Sequence, residues 1–211
     1  IAGQLNGAGT LSGGLLAPQI NGNLRVLNGE ISGAELPMNI EQLQLQARIA
    51  GERLQLEGDW RSGEPGQGRL NGELSWADGL LADIQLRGSR LPVTVEPYAA
   101  LEMAPDLKIS LQDDKLAIDG KVLIPKGQIT VRELPPSTVK VSDDTVIVGQ
   151  QTDEGKKPMA MAMNIDVEVG QEKLAFSGFG LTANLLGHVH IGDNLDTRGE
   201  LSLADGRYRA Y

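Results

Sequence analysis

The stretch PMAMAMNIDVEVG, residues 158–170, alternates apolar and polar positions for longer than an ordinary strand requires. Every odd position from Met159 to Val169 is apolar, whereas the even positions change from Ala to Asn, Asp and Glu. Because successive side chains of a β-strand point to opposite faces of the sheet, this pattern predicts a strand with one apolar face. At about 3.4 Å per residue the alternation extends over roughly 35 Å, about twice a typical strand. A small closed domain seldom needs such a strand.

The composition is typical of strands and turns. The chain has 211 residues, with 27 Gly, 10 Pro, no Cys and 3% aromatic residues, and this length allows one all-β domain or two small ones. The absence of Cys excludes disulfide and zinc-thiolate scaffolds. The formal net charge of −9 would repel phosphate backbones, and no run of Lys or Arg offsets it locally. We therefore expect no nucleic-acid partner.

Alternation of period two recurs along the chain, with turn residues between the runs. Short connectors such as AGER and PKG suit antiparallel neighbours, because a parallel crossover needs a dozen or more residues. Only EPYAALEMAP, residues 96–105, has helical character, since Pro97 suits a first helical turn and Pro105 would end the helix. We predict one or two helical turns there. The runs of alternation lie at residues 43–49, 54–60, 69–76, 82–88, 107–112, 116–125 and 128–131.

A weak repeat places glycine on the apolar side of these runs. Its pattern is apolar, polar, Gly, any residue, apolar, as in LNGEL at residues 70–74. A glycine on one face leaves room for a sheet to bend toward that face, although any single one of these glycines could instead be an ordinary bulge. Together they predict curvature. The glycines of the repeat are Gly22, Gly29, Gly58, Gly72, Gly120 and Gly187.

The sequence therefore predicts an all-β fold, namely a strongly curved, mostly antiparallel sheet folded into a groove with a hydrophobic concave interior and very little helix. The shortage of aromatic residues argues against a filled sandwich core. The alternative is a closed β-module with a dry interior, such as a segment of an adhesin or autotransporter passenger. The residues predicted to line the groove and contact a lipid or client strand are Leu43, Leu45, Ile49, Leu54, Leu56, Leu70, Leu74, Ile84, Leu86, Leu107, Ile109, Leu111, Ile118, Val122, Ile124, Met161, Met163, Ile165, Val167, Val169, Leu174, Phe176, Val189, Ile191, Leu201 and Leu203.

Few residues offer chemistry beyond packing. His188 and His190 would lie on one face of a strand, with Asp193 following, but two solvated histidines on the polar face explain this spacing better than a metal site does. The SDD run at residues 142–144 is read as a turn rather than as a calcium site. No nucleophile elbow, phosphate loop or dinucleotide fingerprint occurs. We expect no catalytic residues, no metal and no cofactor, and hence no enzyme.

The second half of the chain resembles the C-terminal region of the TamB family. The resemblance rests on GKVLIPKGQI (120–129), RELP (132–135), SDDTVIVG (142–149) and the run from Phe176 to Tyr211. Members of this family are inner-membrane subunits of the translocation and assembly module and belong with the AsmA-like, bridge-type lipid transfer proteins. The resemblance covers residues 105–211 well, whereas residues 1–104 are similar only in their Gly-rich style and alternation.

The resemblance implies a place and a role. It implies one elongated β-groove segment over residues 1–211, a fragment of a larger periplasmic protein whose inner-membrane anchor lies outside this chain. The implied role is outer-membrane biogenesis, through assembly of outer-membrane β-barrel proteins and phospholipid transport between the two membranes. The implied partners are a TamA-like outer-membrane protein of the Omp85 class and guests that are phospholipid acyl chains, unfolded outer-membrane protein strands or both.

Overall fold

The computed structural model describes residues 1–14, 17–33, 36–77, 79–112, 114–131 and 160–209. These residues form one open, strongly curved and mostly antiparallel sheet of twelve strands, which confirms the predicted fold class. Neighbours in sequence are neighbours in the sheet, except that β7 continues the line of β6 alongside β8. The strands are β1 (Ala2–Gly14), β2 (Ala17–Ile31), β3 (Ile40–Gly51), β4 (Arg53–Ser62), β5 (Gly66–Ser75), β6 (Leu81–Ser89), β7 (Leu91–Val95), β8 (Ala99–Gln112), β9 (Lys115–Val131), β10 (Ala160–Gly178), β11 (Leu181–Ile191) and β12 (Thr197–Tyr208).

One neighbouring pair departs from the antiparallel pattern. Strands β9 and β10 run parallel, with Val122 opposite Val167 and Ile129 opposite Phe176. The connection between them passes through residues 132–159, which is long enough for the crossover that a parallel pair requires. From Ala160 onwards, the alternation at residues 158–170 lies in β10, which with 19 residues is the longest of the described strands.

The helix predicted at residues 96–105 is wrong. The segment forms the turn after β7 and the first part of β8. Leu101 lies opposite Val93 of β7 on one side and Gly127 of β9 on the other. Two ladders of backbone hydrogen bonds outweigh the modest helical tendency of so short a stretch. Within the described residues the one helical element is a 3-10 turn at Asp193–Leu195.

Irregular positions recur at corresponding levels of most strands, and we call the line that joins them the crease, which β4 and β5 cross with regular pairing. Asn28 in β2, Gln42 in β3, Arg90 between β6 and β7, Gly170 in β10 and Asp205 in β12 all have positive φ, between 50° and 82°. Shifts of register occur close to these positions and between β8 and β9. A β-bulge bends its strand and increases its twist, so a line of bulges across several strands turns a corner in the sheet.

The deepest packing lies close to this crease. Leu91 follows Arg90 directly and is 2% exposed, and Leu174 follows the bulge of β10 and is 1% exposed. Val169, on the other side of that bulge, is also buried. Within the described residues no second layer of strands stacks on the sheet, so the dry sandwich of the alternative hypothesis is not formed there.

A network of charged side chains joins the strands at the crease. The carboxylate of Glu102 lies 3.2 Å from Nε of Arg90 and 3.3 Å from Nζ of Lys126. Its side chain is only 13% exposed. Lys126 also approaches Glu172, in the bulge of β10, at 3.7 Å. A carboxylate this little exposed needs such partners, because an unpaired charge out of water is unfavourable.

Candidate functional site

Cross-strand pairing assembles the apolar side chains into rows that run across the sheet. Ile84 of β6 lies opposite Ile109 of β8, Ile109 opposite Ile118 of β9, and Ile118 opposite Met163 of β10. Directly opposite residues of paired strands have Cβ atoms about 5 Å apart, so their side chains touch. One uninterrupted apolar strip therefore crosses four strands, and parallel rows lie on either side of it.

The register places all predicted groove-lining residues on the face that carries these rows. Most of them are only half buried, and Met161 remains 52% exposed. Four are buried in the protein's own packing and offer little free surface: Val122, Ile165, Val169 and Leu174. We call the face as a whole the apolar face.

The predicted groove-lining residues include none from the first two strands, although Gly22 and Gly29 of the repeat lie in β2. Val26 of β2 lies opposite Leu45, and Leu24 lies opposite Ala47, so the rows continue into β2. Leu5 of β1 extends one of them further, opposite Val26. The alternation of Leu24 and Val26 with polar neighbours was the available signal, although the glycines around it weaken that signal.

The repeat glycines occupy this same face, as the sequence predicts. Gly58 lies opposite Leu45 and Leu70, and Gly72 lies opposite Leu56 and Ile84. Each glycine removes a side chain from the middle of an apolar row. The missing volume is consistent with the strong curvature of the sheet.

The opposite face is polar and is crossed by ion pairs. Lys108 lies 2.9 Å from Asp83, and Lys121 lies 2.8 Å from Glu168. Hydrogen bonding to Asp83 and its negative charge raise the pKa of Lys108. The Lys121 ammonium, by hydrogen bond and then by charge, holds the pKa of Glu168 below its usual value, and Glu168 in turn raises the pKa of Lys121. These pairs are exposed, so they contribute little to stability.

We predict that replacing Lys121 with Gln raises the pKa of Glu168 toward its ordinary value. A depressed carboxyl pKa stabilises the fold at neutral pH, and this contribution disappears as the pH falls through the native pKa of Glu168. The raised pKa of Lys121 stabilises the fold at pH values below the ordinary pKa of lysine. This stabilisation is lost as the pH rises through the native pKa of Lys121. NMR titration of the Glu168 side-chain carboxyl carbon measures the change. An unaltered titration curve would contradict the assignment.

The two histidines lie on the polar face. His190 Nδ1 is 2.9 Å from the carboxylate of Asp166, its partner across β10 and β11, and His188 lies opposite Glu168. No cluster of three or more potential metal ligands occurs within the described ranges. The SDD run lies in residues 132–159, outside the described residues, as do the family motifs at 132–135 and 142–149. Neither histidine faces the apolar rows.

Comparison with known proteins identifies the family. The sequence model of the TamB C-terminal domain matches residues 57–211. The chain is 23% identical to the translocation and assembly module subunit TamB of Haemophilus influenzae, over 96% of this chain and 17% of that protein. No solved structure matches the chain, and the part described here contains no helix long and apolar enough to cross a membrane. The match over most of its length shows that the chain belongs to the TamB family.

Proposed function

We propose that this chain is a periplasmic segment of a translocation and assembly module component whose apolar face holds apolar guests. The guests are lipid acyl chains or unfolded strands of outer-membrane proteins. The observation that carries the proposal is the continuity of the apolar rows from β2 to β10 without a covering layer among the described residues. The relative that matches nearly the whole chain is a subunit of that module.

The size of the rows suits the energetic problem of moving an acyl chain through water. Exposing a chain of about sixteen carbons costs roughly 13 kcal/mol, at about 0.8 kcal/mol per methylene. A transport path must offset most of this cost at every point along it. The apolar side chains of one row lie opposite one another on successive strands, so a guest that advances along the row keeps its apolar contacts. One such row consists of Ile84, Ile109, Ile118 and Met163.

The chemistry of the rows favours passage over tight binding. Their side chains carry no hydrogen-bonding groups, so they impose no polar specificity on the guest. The methionines add flexible, polarizable surface that adapts to irregular shapes. Charged residues lie on the other face, for example Lys108 beside Ile109 in β8, which leaves the guest's polar groups to solvent. This arrangement requires no catalytic residue.

The proposed setting follows the family. We place the segment in the periplasm, in a protein anchored to the inner membrane by a segment outside these residues and acting with a TamA-like outer-membrane protein of the Omp85 class. Its contribution to outer-membrane biogenesis would be holding guests during β-barrel protein assembly or during phospholipid transport between the membranes. The chain spans 17% of the relative's length, which fits a role as one section of a longer path.

Photocrosslinking tests the proposal and separates the two guests. Crosslinkers at Ile109, Met163 and Val167, on the apolar face, should capture guests in cells. Crosslinkers at Glu168 and Gln112 serve as matched controls, because both side chains lie on the polar face. These crosslinkers should capture no guest. Mass spectrometry of the adducts then distinguishes acyl chains from peptide. Equal capture by the two sets of probes would exclude the apolar face as the binding surface.

A further inference from the structure

The polar face contains a cleft of about 590 Å³ beside the crease, lined by residues of β2 to β6. It lies on the face opposite the apolar rows, since its charged residues alternate in sequence with the row residues. Its lining is rich in arginine, with neutral hydrogen-bonding side chains around it. Its polar lining includes Arg61, Arg69, Arg87, Gln44, Gln67 and Ser89.

Only strand pairing brings these arginines together. Arg69 of β5 lies directly opposite Arg87 of β6, and Arg61 of β4 lies opposite Gln67, two residues before Arg69. In the sequence they are separated by acidic and apolar residues, so no basic run is visible. The fold thus builds a local concentration of positive charge in a chain whose formal net charge is −9.

The arginines are incompletely neutralised. Arg87 pairs with Asp106 at 3.2 Å. Arg61 donates from Nη2 to the carbonyl oxygen of Glu64, and neither Arg61 nor Arg69 forms an ion pair within the described part of the chain. Asp59 of β4 is the one acidic residue in the lining, and it lies opposite Arg69 but forms no ion pair with it. Like charges directly opposite each other in a sheet are unfavourable, and an anion between Arg69 and Arg87 would remove that repulsion.

We propose that this cleft binds a phosphate monoester. Guanidinium groups match phosphate oxygens through paired, charge-assisted hydrogen bonds. A phosphate monoester carries about −1.5 to −2 charges near neutral pH, enough to neutralise both Arg61 and Arg69, whereas one carboxylate would neutralise only one of them. The cleft is larger than a phosphate group alone, and Gln44, Gln67 and Ser89 line the remainder with groups suited to hydroxyl or ester oxygens. The ligand is therefore a phosphate on a small polar group, supplied by a sugar phosphate or by a phosphorylated lipid headgroup.

The test is a binding measurement with glucose 6-phosphate at constant ionic strength, because screening by salt changes the affinity of any anion. Calorimetry or NMR shift titration of the 211-residue chain should show saturable binding. The double variant Arg61→Gln with Arg69→Gln should lose about tenfold or more in affinity, since hydrogen bonds between charged groups are among the strongest in proteins. The control is Arg25→Gln with Arg48→Gln, which removes the same charge from the same face outside the cleft and should bind normally.

A second arm identifies the source of the phosphate. Vesicles containing phosphatidic acid, compared with vesicles of phosphatidylcholine alone, test a lipid headgroup. Binding of the vesicles but not of glucose 6-phosphate, lost in the Arg61/Arg69 variant, assigns the site to a lipid. Three outcomes would overturn the proposal. The chain could bind neither probe, or the Arg25/Arg48 control could lose as much affinity as the Arg61/Arg69 variant. The third is tighter binding of glutarate, a dicarboxylate, than of glucose 6-phosphate. None of these outcomes depends on the apolar face, whose capture of guests should be the same in both double variants.

Discussion

Replacing Gly120 with Ala is expected to destabilise the fold by about 3 kcal/mol, because two separate steric costs add at this position. Its φ of +143° is one that residues with a side chain rarely adopt. An added Cβ would also collide with the carbonyl oxygen of Asp106 and lie 3.0 Å from Cα of Leu107. Both obstacles belong to the backbone of β8, which cannot move without breaking its pairing with β9. Urea unfolding followed by circular dichroism measures the loss.

Gly51 supplies the matched control for this experiment. It also has a positive φ, +61°, but an added Cβ there would meet nothing within 4 Å. Gly51→Ala should therefore cost only the conformational strain, about 1 kcal/mol. Equal losses in the two variants would show that close packing of β8 on β9 is not what requires glycine at position 120.

Replacing Ile84 with Asp is expected to reduce retention of an acyl-chain probe by tenfold or more. Ile84 lies between Gly72 and Ile109 in the central apolar row. A carboxylate there stays hydrated, so about two methylenes of a guest lose their apolar contact. Each lost methylene contact weakens binding by about 0.8 kcal/mol. Each 1.4 kcal/mol is a factor of ten in affinity. Titration with a fluorescent fatty acid measures the change, and circular dichroism reports whether the variant is folded.

The neighbouring residue provides the control for the acyl-chain experiment. Gln85→Asp introduces the same carboxylate one position along β6, on the polar face and opposite Lys108. Its negative charge lies across from a cation, so the fold and the retention of the probe should both be preserved. If Gln85→Asp reduced retention as much as Ile84→Asp, overall charge rather than the apolar row would govern binding.

The structure departs from the sequence-based expectation where pairing between distant segments decides the outcome. Residues 96–105 have an acceptable helical pattern taken alone, yet Leu101 pairs with strands on both sides. The parallel pairing of β9 with β10 was likewise not visible, because the length of residues 132–159 permits a crossover without requiring one. Neither feature leaves a local signature in the residues concerned.

Local periodicity by itself determined which side chains share a face. Because alternate residues of a strand point in opposite directions whatever its neighbours are, Ile84, Ile109 and Met163 were assignable to one apolar face, with the glycines of the repeat among them. The same alternation assigned His188 and His190 to the polar face.

Only the tertiary structure decided what lies beside what within each face. The register between strands brings Arg61, Arg69 and Arg87 around one cleft and places Arg90 and Lys126 on the carboxylate of Glu102. Alternation specifies the direction of a side chain but contains no information on its neighbour one strand away. That neighbour depends on hairpin lengths, bulges and the crease, which arise only when the strands pair.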